Sequence, residues 1–334
     1  MKRVGYLFEC VTSFENLMKA AKKSMRGKRH KRSAATFFFR MENDVIRISQ
    51  ELESGTYKPG PYDQFEIREP KVRKICSSTF RDRVVHHAVC NVIEPYIERR
   101  LIADTYACRP GMGTHKALHR AQHYTKRYRY FLKCDIRKYF ESVDHGVLKA
   151  LFRRLFKDAK LLLLLDQIVD HAVPGAEPGK GIPIGNLTSQ HFANLYLGEL
   201  DRHVTGVFGV GGYVRYMDDF IIFDNSKERL HEVLREVRCF LGQALKLILK
   251  EKVVRIAPVS EGVPFLGFRV FPHVTRLQRS GLVRFRRNIQ RQQRMFAQGL
   301  ISADDMARSV HSMIAHVSHA DTTRVRRDVF ERMA

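Results

Sequence analysis

The apolar and polar positions along the chain divide it into helical and extended segments in mixed order. Apolar residues recur at helical spacing through Val147, Leu148, Leu151, Phe152, Leu155 and Phe156. They do so again through Leu230, Val233, Leu234, Val237, Phe240 and Leu241, with Ser226 placed to cap that helix. Further helices are expected over 43–53, 81–93, 114–128 with Thr114 as cap, and 161–172, and another is capped near Thr188 or Ser189. Runs of β-branched and aromatic residues predict strands at 130–136, 245–249 and 264–271, and 65–75 reads as strand, turn, strand. Residues 213–223, YVRYMDDFIIF, read as a hairpin with Asp218 and Asp219 at its tip. Beyond Gly281 the pattern is helical, with later helices over 303–315 and 323–333. Pro59, Gly60 and Pro61 punctuate the amino-terminal part, and residues 174–185 form a glycine-rich loop without P-loop spacing. Strands and helices alternating around paired hairpins predict an α+β fold.

Charge narrows the class of partner. Of the 334 residues, 59 are Lys or Arg and 35 are Asp or Glu, a formal charge of +24 on a composition that is 44% hydrophobic. A folded chain this basic is expected to meet a polyanion, nucleic acid first and an anionic membrane surface second. No stretch approaches the ~20 apolar residues of a spanning helix. The start, MKRVGYLFECVTSFEN, lacks the apolar segment of a secretory signal, so a cytoplasmic protein is expected. The six cysteines stand singly and the histidines lack companions at zinc spacing. The basic run that includes Lys28 and Arg29 reads as a phosphate-tracking arm, or else as a solvated tail. Arg284, Arg286, Arg287, Arg291 and Arg294 crowd one helix, which suits a helical module gripping a duplex backbone. Lys71 and Arg73, at the centre of the 65–75 hairpin, would suit a triphosphate, although basic residues at a turn are commonplace.

The acids supply the chemistry. Desolvating two adjacent carboxylates is costly, so Asp218 and Asp219 between apolar strands call for a strong counter-charge, unless the pair is plain turn chemistry. Asp135, near the end of the 130–136 strand, completes a trio. Three carboxylates are what two divalent ions need for phosphoryl transfer, and hard oxygen ligands suit magnesium.

These residues carry a family resemblance. YMDD in its hairpin, the FLKCD strand followed by Phe140, EPKVRKI with DRVVHHAV, GNLTSQ, LKLILKEK and FLGF resemble the successive blocks of a reverse transcriptase over 65–271. Ile184 and Gly185 followed by Ser189 and Gln190 are similar to the form found in reverse transcriptases of diversity-generating retroelements, within the group II intron-like superfamily. FENLMKAAKKSMRGKR, TYACRPGMGTHKAL and the late SHADT resemble that group too. The resemblance implies a right-hand polymerase: a basic extension over 1–60, fingers over 61–129 with part of 146–190, a palm over 130–275 and a helical thumb over 276–334. It implies that Asp135, Asp218 and Asp219, with the Ile136 carbonyl, hold two Mg2+ ions, Mn2+ being a possible substitute. Lys71 and Arg73 would meet the dNTP triphosphate, Phe140 would exclude a 2′-hydroxyl, and Ile184, Gly185 and Gln190 would line the nucleotide and template pocket. Lys252, with Lys250 competing, would stand near the pyrophosphate, and Phe265, Leu266 and Gly267 would support the primer end. Implied partners are template RNA, the RNA/DNA hybrid and a small basic accessory oligomer, with no membrane, in a prokaryotic or phage-encoded cytoplasmic setting. Other prokaryotic reverse transcriptases, intron-like or phage-defence, are the rival reading, and a non-catalytic RNA-binding scaffold is a further one.

Overall fold

Helices form where apolar residues keep helical spacing behind a capping side chain, and strands where β-branched and aromatic residues cluster. The computed structural model describes residues 2–28, 32–68, 72–171 and 173–331. Arg29 and Lys71 lie outside the described residues. The chain opens with four helices, Phe8–Thr12 (α1), Phe14–Ser24 (α2), Arg32–Phe39 (α3) and Met41–Glu53 (α4). The antiparallel strands Asp63–Ile67 (β1) and Arg73–Ser77 (β2) follow, then the helices Phe80–Glu98 (α5) and Thr114–Arg127 (α6). Strand Tyr130–Asp135 (β3) leads to the helices Tyr139–Ser142 (α7), His145–Leu155 (α8), Ala159–Asp170 (α9) and Leu187–Arg202 (α10). The hairpin Gly212–Tyr216 (β4) and Asp219–Asp224 (β5) precedes helix Lys227–Ala244 (α11). Four short strands come next, Arg255–Pro258 (β6), Val263–Phe265 (β7), Phe268–Val270 (β8) and Thr275–Leu277 (β9). The helices Arg279–Ala297 (α12), Ala303–Val317 (α13) and Thr323–Glu331 (α14) close the described chain.

Packing divides these elements into two units, each made of three stretches of chain. The first comprises Met1–Ala103, Ile136–His203 and Val237–Leu249, and the second Asp104–Asp135, Val204–Glu236 and Lys250–Ala334. In the first unit α5 and α10 bury residues around most of their circumference and form its centre. Helix α2 lays Leu17, Ala20 and Ala21 into the core, and Asn16 Nδ2 donates to the Ala88 carbonyl of α5 at 3.0 Å. Helix α2 is therefore part of a packed layer, because its apolar positions fall on one face. Asp158 strengthens this layer by capping two helices: it accepts from Leu7 and Phe8 N–H at 2.8 and 2.9 Å, and from Leu161 N–H at 3.2 Å.

The second unit is built on a four-stranded antiparallel sheet in the order β4-β5-β3-β6. Phe131, Val214, Ile221, Phe223 and Ala257 share one face and pack with Ala117, Leu118, Ala121 and Tyr124 of α6. Val263, Phe265, Phe268 and Val270, from the small sheet β7-β8-β9, complete that core. Each such side chain contributes about 1.5–3 kcal/mol when fully buried. Phe285 and Ile289 of α12 pack with Val317 of α13 in a smaller cluster.

Three expectations change. Residues 245–249 make only one isolated bridge, Leu249 to Ile136, and Lys246 has φ 50°, which no continuous strand accepts. The 264–271 strand is two strands joined at Leu266 and Gly267, with φ 50° and 85°, the two-positive-φ connection of a tight hairpin. Helix α10 begins at Leu187, earlier than its expected cap; Asn186 stands at the N-cap position without capping, since its Oδ1 accepts from Ser78 Oγ at 2.6 Å. No described helix is long and apolar enough to cross a membrane.

Candidate active site

The register of the four-stranded sheet brings the acids together. Asp135 on β3 lies directly opposite Asp219 on β5, and Asp219 also pairs with Tyr216 on β4. Only Met217 and Asp218 are left to make the turn, so Asp219 opens the returning strand rather than sharing the tip. Met217 has φ 59°, a conformation that costs a side-chain-bearing residue roughly 1–2 kcal/mol. Arg215, fully buried, donates from Nη1 to the Met217 carbonyl at 2.9 Å and holds the turn from behind. Because side chains alternate along a strand, Lys133, Asp135 and Asp219 project from one face. Lys133 Nζ lies 2.5 Å from Asp219 Oδ1 and 5.6 Å from the centre of the Phe265 ring. Lys250 donates its backbone N–H to the Asp135 carbonyl at 2.8 Å, and its Nζ lies 4.0 Å from Asp135 Oδ1. Lys252, expected near the pyrophosphate, is exposed on the short turn Glu251–Val253; Lys250 is the lysine that faces the acids.

The electrostatics are those of a site short of positive charge. The Asp219 carboxyl is raised to about 6 on balance: burial pushes it up most, Lys133 pulls it down, and Asp135 and Asp218 push it up further. Among the described residues no three acid, histidine or cysteine side chains converge tightly enough to enclose an ion. The donors are nevertheless all hard oxygens whose mutual repulsion Lys133 offsets only in part, which fits a divalent cation that also draws ligands from phosphate and water.

In the first unit, Phe140 and strand β2 touch the glycine-rich loop. The Phe140 carbonyl accepts from Ile182 N–H at 2.8 Å, and the Ile184 carbonyl accepts from Cys76 N–H of β2 at 2.9 Å. Gly185, with φ 131°, sits so close to β2 that a Cβ there would fall 2.8 Å from the Cys76 carbonyl oxygen. Arg73 stands exposed on β2, Gln190 is exposed on α10, and Phe140 is half-buried at α7. Ile136 is buried and bridged to Leu249. On α12, Arg284, Arg287, Arg291 and Arg294 follow i, i+3, i+7, i+10 spacing, opposite Phe285 and Ile289, whereas Arg286 falls off that stripe. Lys28 is half-buried at the end of the α2 layer. A cavity of about 320 Å3 lined by His115, His119, His273, His319 and Asp321 includes none of Asp135, Asp218 and Asp219.

The signature described as reverse transcriptase (RNA-dependent DNA polymerase) matches residues 58–270, well over half of the chain. The chain belongs to the reverse transcriptase family. Protein YkfC of Escherichia coli (strain K12) is 26% identical over 274 residues, covering 69% of this chain and 72% of that protein. The group II intron-encoded protein LtrA of Lactococcus lactis subsp. cremoris is 24% identical over 312 residues, covering 73% of this chain and 51% of its own. The chain thus spans about half the length of that relative. In fold it is similar to apo telomerase from Candida tropicalis truncated from its C-terminal domain, with a TM-score of 0.52, 11% identity and coverage of 71% of this chain and 60% of that one. Telomerase of Candida albicans, solved with a telomeric RNA fragment, gives a TM-score of 0.51 at 9% identity over 75% and 55% of the two chains. These likenesses agree with a right-hand polymerase fold.

Sequence reasoning on this reverse transcriptase passed over Lys133, Arg215, and the Ser78–Asn186 pair behind the glycine-rich loop. Lys133 was within reach, since a residue two positions before Asp135 on a strand must share its face. Arg215 and the Ser78–Asn186 bond depend on long-range packing that no local pattern carries.

Proposed function

We propose that this reverse transcriptase makes DNA on an RNA template by two-metal nucleotidyl transfer at Asp135, Asp218 and Asp219, with the Ile136 carbonyl as a further ligand. The observation that carries the reading is the register pairing Asp135 with Asp219 while Asp218 occupies the adjoining turn. Bound Mg2+, or Mn2+ in its place, would lower the cost of ionising the primer hydroxyl and of charge building on the leaving pyrophosphate. The chain's own groups orient the reactants. Arg73 and Lys71 meet the triphosphate, where guanidinium can fork two oxygens. Of Lys250 and Lys252, Lys250, beside Asp135, is favoured for the part near the pyrophosphate. Phe140 fills the space of a 2′-hydroxyl, Ile184, Gly185 and Gln190 line the base and template, and Phe265, Leu266 and Gly267 support the primer end. The arginine stripe of α12 follows the backbone of the RNA/DNA hybrid.

Within the family, Ile184 and Gln190 favour the diversity-generating type, which copies a dedicated template RNA with errors at adenine and works with a small basic accessory oligomer. An apolar Ile184 in the nucleotide pocket gives up a polar contact that would police the base. The intron-encoded relatives keep an intron-type enzyme as the second reading. Primer extension decides activity: Asp218→Asn is expected to abolish it, and extension that survives the change rejects the metal assignment. Sequencing of cDNA made by chain purified with its co-expressed neighbours decides the type. Errors concentrated at template adenines, and reduced by Ile184→Gln, are expected; an even error spectrum points to the intron-type reading.

A further inference from the structure

The carboxylate cluster contains a cation of its own. Lys133 Nζ lies 2.5 Å from Asp219 Oδ1, and its side chain is only 11% exposed. Lys250, by comparison, stands 4.0 Å from Asp135 with 38% of its side chain exposed, and can turn into solvent. Lys133 has no such freedom. It rises from the interior of β3, where its backbone pairs with Ile221 on one side and Arg255 on the other, and the Phe265 ring closes the space at 5.6 Å. Arg255 is engaged with Glu261 and does not compete for Asp219. A lysine in the buried part of a strand surrenders side-chain entropy and hydration, costs that only a strong partner offsets. Asp219 is that partner, and the bond between them is a diagonal cross-strand pair whose geometry is set by sheet register rather than by flexible loops.

We propose that Lys133 is a resident counter-ion of the acid cluster: it neutralises Asp219 when no divalent ion is bound, and its charge opposes an arriving ion, so it sets how tightly that ion is held. The inference rests on the metal-binding reading of Asp135, Asp218 and Asp219. Lys133 occupies one oxygen of a carboxylate that the ion also needs. An ion entering the cluster meets a fixed positive charge at short range in a partly desolvated site, where such a charge matters far more than in water. The arrangement keeps the chain folded without metal, and leaves the ion weakly held until substrate phosphates add their charge.

The test is Mn2+ binding to the whole 334-residue chain at fixed pH, followed by electron paramagnetic resonance, together with thermal unfolding in a chelator and in Mn2+. In Lys133→Met the apparent dissociation constant should fall by about tenfold or more, the scale on which close charges couple. Its unfolding midpoint should drop in chelator and recover in Mn2+ by more than the wild type gains. Lys133→Arg, which keeps the charge, should stay near the wild-type constant, and Lys133→Gln serves if the methionine variant fails to fold. Wild-type binding that Asp218→Asn weakens but Lys133→Met leaves unchanged overturns the role of Lys133 and spares the metal site. Binding no stronger in wild type than in Asp218→Asn overturns both.

Discussion

Gly185→Ala tests how the glycine-rich loop is held against β2. Two costs add at this position. The first is backbone strain, since φ 131° belongs to a region that only glycine enters readily, at roughly 1–3 kcal/mol. The second is overlap: the new Cβ would stand 2.8 Å from the Cys76 carbonyl oxygen and 3.1 Å from Ile75 Cγ2. Backbone cannot swing aside as a side-chain tip can, and retreat of β2 would break the Cys76 to Ile184 hydrogen bond of 2.9 Å. Overpacking of this kind costs about 1–3 kcal/mol, which brings the total to about 2–6 kcal/mol. Gly179→Ala is the matched control, because Gly179 has φ 74° and no neighbour within 4 Å, leaving strain of about 1–2 kcal/mol alone. Urea unfolding of both variants measures the difference, and dNTP titrations should show the KM of Gly185→Ala rising more than its kcat falls. Equal destabilisation of the two variants would refute the contact between the loop and β2.

Other expectations follow from single features. Burial pushes His86 down to about 4 while its Nδ1 lies 2.7 Å from Thr188 Oγ1; stability should be intact above 6.5 and fall by up to about 3 kcal/mol as pH drops to 4, since only the unfolded chain gains the proton, and His86→Gln should flatten the urea midpoint over that range. Phe140→Ala should raise the ratio of ribonucleotide to deoxynucleotide incorporation by about tenfold or more, and an unchanged ratio in single-nucleotide extension removes the gate. Replacing Arg287 and Arg291 by Gln should lower the salt slope of template binding by roughly 1–2, measured by fluorescence anisotropy across a salt series. Ser302→Ala removes the capping box of α13, formed with Asp305, and should cost about 1 kcal/mol in unfolding free energy without changing activity per folded molecule.

Most helices were legible from spacing, α4, α5, α6, α8, α9, α11, α13 and α14 among them, and Ser226 caps α11 as its type and place suggest, accepting from Arg229 N–H at 3.0 Å. The acids were legible too, because Asp135 ends one apolar run and Asp218 and Asp219 interrupt another. What escaped was pairing. Leu245, Leu247 and Leu249 are all buried in alternation, the pattern of a strand, yet no neighbouring strand runs beside them. Alternation records a buried side and an open side, and an irregular segment crossing an interior produces the same record. Strand β6, only four residues long, was missed for the opposite reason: Arg255 to Pro258 has too little apolar character to announce itself, and it exists because β3 offers a free edge.

The charges follow a different logic from the fold. A sheet face that buries Phe131, Val214, Ile221 and Phe223 also carries Lys133, Asp135 and Asp219, so the acid-bearing end of the face is continuous with its core. Acids on a loose loop would avoid the desolvation that pushes Asp219 up, but would lose the fixed register that sets Asp135 against it. The sheet accepts the electrostatic cost to gain position, and its two supports come from neighbouring strand residues: Lys133 answers the charge of Asp219 and Arg215 holds the carbonyl of Met217. Each support lies within two positions of the group it serves or across one strand pairing. Substituting Lys133 should therefore change Mn2+ binding and stability in chelator together, and recovery of that stability on adding Mn2+ separates a role at the acids from a merely structural one.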